Sequence, residues 1–161
     1  MADMEQRINY IRVAPHADIA MQGLEDYVRH SGLEPTLIDL VKLRASQING
    51  CAYCVDMHTK DARARGETEQ RLYEVSAWRE APFYSERERA ALAWTEALTS
   101  IAGQGVSDEL YQSARQHFSE KELVDLTIAV IAINGWNRLS IAFRYPEVGS
   151  YQPATRQQQA A

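Results

Sequence analysis

Apolar side chains recur along most of this chain at three- and four-residue intervals, the spacing that lines one face of an α-helix, and no stretch shows the strict alternation of a half-buried strand. The pattern predicts an all-α bundle of about six to eight helices. A first helix over 16–30 turns Ile19, Ala20, Leu24, Tyr27 and Val28 toward the core and stops at Gly32. A second opens at Pro35, where a first-turn proline is tolerated, carries Leu37, Ile38, Leu40, Val41, Leu43, Ala45 and Ile48, and ends at Asn49-Gly50. A third begins at about Cys51 and reaches Gly66, and a short fourth covers 68–78. Ser85-Glu86-Arg87-Glu88 reads as a capping box that opens a fifth, with Ala91, Leu92, Trp94, Thr95 and Leu98 as its buried stripe. After the turn at Gly103-Gln104-Gly105, Ser107 caps a helix through Phe118, and Ser119 with Glu122 forms a second box before a last helix from about Glu120 to Arg144.

That last helix is apolar nearly all round over Ala129, Val130, Ile131, Ala132 and Ile133, which predicts a central position or packing against another subunit. Trp78, Trp94 and Trp136 fall at core or interface positions of their helices. Asn134, Asn137 and Arg138 need partners if buried, either closing a pocket or bonding across subunits. Ile48-Asn49-Gly50-Cys51 is echoed by Ile133-Asn134-Gly135-Trp136, as a duplicated helical hairpin would leave behind. The whole reads as one domain, 1–161, with its core over about 16–146 and a mobile tail over 147–161.

Composition narrows the chemistry. With 161 residues and 45% apolar content the chain builds its core without disulfide staples. A net charge of -5, with bases interleaved among acids as in Glu86-Arg87-Glu88-Arg89, argues against a nucleic-acid surface. The first residues are polar and mixed in charge, and the longest uninterrupted apolar run, Ile128 to Ile133, is far short of the about 20 residues that span a bilayer. The expectation is a cytoplasmic protein that binds neither nucleic acid nor membrane. In a reducing compartment a close cysteine pair points to catalysis, redox change or metal binding.

Such a pair exists: Cys51 and Cys54 are the only two cysteines, and His58 follows four residues after the second. Positions three and four apart share a helical face, so all three side chains can meet in one small volume. A helix start favours thiolate over thiol, and His58 can exchange a proton near neutral pH or, as a cation, stabilise the Cys54 thiolate. Asp61 and Asp39 are candidates to orient His58; Asp61 also has Arg65 at the four-residue spacing of a surface ion pair. A zinc site would need a further ligand, and His16, His30 and His117 show no paired spacing, so neither metal nor cofactor is expected.

The stretch Leu43-Arg44-Ala45-Ser46-Gln47-Ile48-Asn49-Gly50-Cys51-Ala52-Tyr53-Cys54, with Asp39 twelve residues before Cys51 and His58 after Cys54, resembles the alkylhydroperoxidase D-like branch of the carboxymuconolactone decarboxylase-like superfamily. The likeness runs from about Leu33 to Arg144. It implies an all-α subunit, assembly into trimers or hexamers, and reduction of a small hydroperoxide through the cysteine pair, reset by a dihydrolipoyl or thioredoxin-type dithiol donor. Asp39, Cys51, Cys54 and His58 are then the catalytic residues. The family's glutamate is aspartate here, and Tyr53 lies where well-studied members have histidine. The resemblance and His58 favour Cys54 as the attacking thiol with Cys51 closing the disulfide, whereas helix-end electrostatics alone favour Cys51. Two other functions fit the same residues: a redox-sensing or assembly module without catalysis, and a cofactor-free lactone decarboxylase.

Overall fold

The computed structural model describes residues 5–153, and among them every regular element is helical. Eight α-helices follow in order: α1 (Tyr10–Val13), α2 (Pro15–Arg29), α3 (Pro35–Asn49), α4 (Ala52–Ala64), α5 (Glu69–Glu74), α6 (Glu86–Thr99), α7 (Asp108–Arg115) and α8 (Glu120–Phe143). The fourth predicted helix is divided, because α5 tightens into a 3-10 turn over Val75–Ala77. Both predicted capping boxes form, with Ser85 and Glu88 opening α6 and Ser119 and Glu122 opening α8. Pro35 stands in the first turn of α3 as expected.

α3 is the organising element. Nine of its residues, from Leu37 to Ser46, are buried, because α4, α6 and α8 all pack against it. One apolar cluster joins Val41 to Ala91, Trp94, Phe118, Leu126 and Val130, and a second joins Leu40 and Leu43 to Leu72, Val75, Trp78 and Leu92. A third, smaller cluster holds Ala45, Cys51, Cys54 and Ile133, with Tyr53 and Trp136 at its edge. The indole N–H groups of Trp78, Trp94 and Trp136 donate to Glu96, Thr127 and Glu25, so each ring packs while its polar edge is satisfied.

Three expectations change. α2 is peripheral: of its predicted core residues Val28 is buried, but Ile19 and Tyr27 are 62% and 46% exposed. α8 as a whole, 24 residues in which Asn134, Gly135 and Ser140 interrupt the apolar pattern, is long and apolar enough by composition to cross a membrane. Its Leu126, Ala129, Val130, Ala132 and Ile133 are instead buried against the other helices. Finally, the repeated Ile-Asn-Gly is not a repeated helix end. Gly50 terminates α3 in a left-handed conformation (φ 70°), whereas Gly135 lies inside α8. There a Cβ would sit 2.7 Å from the tip of the flexible Met21 side chain of α2.

Candidate functional site

The end of α3 and the start of α4 place the thiols. Past Gly50 the Cys51 N–H donates to the Ser46 carbonyl at 3.0 Å, closing α3 and turning the chain so that Cys51 becomes the N-cap of α4 rather than its first residue. Its sulfur accepts the Cys54 backbone N–H at 3.4 Å. Sulfur therefore takes the place that serine or aspartate usually fills at a helix start, at the positive end of the helix dipole. Both cysteines are free thiols and buried.

The two thiols are unlike. Cys51 is lowered from 9.0 to about 7, first by the hydrogen bond from the Cys54 thiol, with burial opposing and the Cys54 backbone N–H, Ser140 and Asn137 adding to the stabilisation. Cys54 is pushed up, because its proton is held by Cys51, its sulfur is buried and a neighbouring thiolate repels a second charge. Cys54 also faces the Ser140 hydroxyl at 3.9 Å. The helix start thus favours negative charge on Cys51 and disfavours it on Cys54. A cavity of about 780 Å³ opens beside it. Gly50, Cys51, Ala52 and Tyr53 form one wall and Ser140 and Ile141 of α8 another, while Cys54 lies outside the lining. Tyr53 is thereby a wall of the cavity.

His58 and Asp39 do not form the relay expected of them. His58 is buried, its Nε2 has no hydrogen-bond partner, and burial reinforced by the nearby charges of Lys42 and Arg65 keeps its pKa well below the ordinary imidazole value. It is a neutral base, not a cation stabilising Cys54. Asp39 is buried as well, but its carboxylate accepts from Arg65 Nη1 at 2.6 and 2.7 Å instead of from His58. Burial raises Asp39 from 3.8 to about 6, with Arg65 pulling the other way. The predicted Asp61–Arg65 pair is not made: Asp61 accepts from the Tyr151 hydroxyl at 2.6 Å, and Lys60 donates to the Tyr151 carbonyl at 3.0 Å. The first part of the predicted tail is therefore fastened to α4; residues 154–161 lie outside the described residues.

The polar residues of α8 bond across helices within the chain. Asn137, fully buried, donates to Ser46 Oγ at 3.1 Å and accepts from Asn49 at 2.8 Å, and Asn49 also donates to Asn134 at 3.0 Å. Arg138 is exposed and turns back to Asn134, so it closes no pocket. The Lys42–Glu25 ion pair under the site, with Trp136 donating to the same carboxylate, escaped the sequence pattern because its partners are distant in the chain. No group of three or more His, Cys, Asp or Glu side chains among the described residues is placed to hold a metal ion.

A helical bundle of this arrangement defines an AhpD-like fold. A protein of unknown function from Agrobacterium tumefaciens, provisionally described as an antioxidant-defence protein AhpD, superposes with a TM-score of 0.85 at 49% identity, covering 93% of this chain and 99% of that one. The debrominase Bmp8 in complex with 2,3,4-tribromopyrrole shares the fold at a TM-score of 0.77 and 20% identity, covering 87% of this chain and 74% of that one. The chain belongs to the carboxymuconolactone decarboxylase family, whose profile matches residues 15–97. YdfG of Bacillus subtilis (strain 168) is 48% identical over 139 residues, 86% of this chain and 95% of its own length.

Proposed function

We propose that this chain is a thiol-dependent peroxidase of antioxidant defence, with Cys51 as the attacking thiolate and Cys54 as the thiol that closes the disulfide. The observation that carries this reading is the Cys51 sulfur at the N-terminus of α4, lowered to about 7 and facing the cavity. The thiolate attacks one oxygen of the peroxide, the O–O bond breaks, and the leaving alkoxide takes a proton to become the alcohol. Cys51 is then a sulfenic acid. The Cys54 thiol displaces its hydroxyl as water, a disulfide forms, and an external dithiol of dihydrolipoyl or thioredoxin type restores both thiols by exchange. Two electrons pass from the donor to each peroxide. The Cys54 proton leaves with the displaced hydroxyl, so the step places no charge on the buried, neutral His58.

The deciding experiment screens hydroperoxides against several dithiol donors and follows donor oxidation, with the double-cysteine variant as blank. Steady-state oxidation above the blank is expected with at least one pair. Rates equal to the blank throughout would leave the cysteines a sensing role without turnover. We also propose a homo-oligomer of three or six subunits. Val124 and Ile131 of α8 remain 57% and 50% exposed, and Ile19 of α2 62%, which is costly to leave in water. A single species of 18.2 kDa in light scattering at micromolar concentration would overturn the assembly.

A further inference from the structure

Arg144 is the residue that the thiol chemistry leaves unexplained. It caps α8 in a left-handed conformation (φ 52°), the one non-glycine residue with positive φ among the described residues, where a side chain costs about 1 kcal/mol or more. It lines the cavity one helical turn beyond Ser140, so its backbone is about 6 Å from Ser140 along the helix axis. Every other half-buried arginine, namely Arg44, Arg71, Arg87, Arg89 and Arg115, forms an ion pair with a carboxylate. Arg144 has no such pair among the described residues. Glu5 and Glu147, which also line the cavity, are exposed at its rim and neither pairs with it. Arg7 is exposed there too and donates from Nη1 to the Ala142 carbonyl at 3.1 Å. The lining further holds the uncharged Gln6 and an apolar group, Ala52, Ile141, Pro146 and Val148.

A half-buried guanidinium without an anion loses hydration and recovers little of it. The dipole of α8 favours a cation at this end and accounts for a base there. It does not account for that base lining the cavity. We infer that the Cys51 cavity is a binding site for amphipathic carboxylates, with Arg144 holding the carboxylate, the apolar wall holding a medium-length hydrocarbon chain and the thiol reached by the part beyond Ser140. For the reaction proposed above this makes the substrate a hydroperoxide of an organic acid. That statement rests on the proposed reaction, but selectivity for the carboxylate does not.

The test is calorimetric titration of the full chain at pH 7.5 with octanoate and with octanamide, which differ in the charged end alone. Octanoate should bind about tenfold or more tightly, the worth of one charge-assisted contact. Arg144→Gln should bring the two ligands to within about twofold, and Arg144→Lys should restore part of the difference. Arg138→Gln removes a cation from the same helix outside the cavity and should leave the preference intact. Should Arg144→Gln fail to fold, Ile141→Glu at an exposed position of the wall should weaken octanoate and spare octanamide. Equal binding of both ligands to the wild-type chain, or a preference that survives Arg144→Gln, overturns the inference. A chain that oxidises no donor yet shows the preference loses the reaction and keeps the site; one that turns over hydroperoxides with no such preference keeps the reaction and loses the site.

Discussion

Cys51→Ser is expected to bring hydroperoxide-dependent oxidation of a dithiol down to the double-cysteine blank, a loss of at least about a thousandfold, whereas Cys54→Ser should allow one turnover per subunit and stop with a sulfenic acid on Cys51. The asymmetry follows from position. Cys51 caps α4 and lines the cavity, while Cys54 is one turn further along α4, outside the lining, and faces Ser140. Because Cys51 titrates at about 7, the rate of its alkylation in the wild-type chain should rise with pH and reach half its plateau near that value. In Cys54→Ala the first-ranked stabilising contact of that thiolate is removed and the midpoint should move upward, toward the ordinary thiol range. Mass spectrometry of the trapped sulfenic acid reads the outcome. A single turnover retained by Cys51→Ser and lost by Cys54→Ser would transfer the attack to Cys54.

Much of this architecture was legible because its signals are local. The boxes at Ser85 and Ser119, the proline at the start of α3 and the glycine at its end each fix a backbone position by chemistry within four residues. The closeness of Cys51 and Cys54 was legible for the same reason. What failed was partnership at a distance. Arg65 is four residues from Asp61 and was assigned to it, yet it bonds Asp39, 26 positions away, because α3 and α4 pack side by side and bury the Asp39 carboxylate beneath it. Asp61 is left to Tyr151, 90 positions on. Of the thiols' surroundings from α8, Asn137 was visible only as a polar residue in an apolar helix, and Ser140 was not singled out at all. α1 was missed outright: four residues carry too little periodicity to register, and it forms on a cap from the Asn9 side chain.

The Asp39–Arg65 pair carries the remaining large prediction, a stability change whose size depends on pH. Asp39 is 6% exposed and its pKa is about 6, above the ordinary 3.8, so the folded chain keeps a proton that the unfolded chain releases between those values. Stability therefore declines as pH rises from about 4 to about 6, and Arg65 limits the decline by holding the ionised form. In Arg65→Ala the folded pKa moves higher still and the decline continues past 6. The variant should lose about 1–2 kcal/mol at pH 7.5, less than a fully buried broken pair would cost, because the Arg65 side chain is 34% exposed. At pH 5, where Asp39 is mostly protonated in both chains, the two should nearly coincide. Asp39→Asn in the Arg65→Ala background should recover most of the loss at pH 7.5, since a neutral amide there needs no cation. Urea unfolding at both pH values and fixed protein concentration measures all three chains. A loss equal at the two pH values, or one that Asp39→Asn leaves in place, would mean that Arg65 acts through packing rather than through the Asp39 charge.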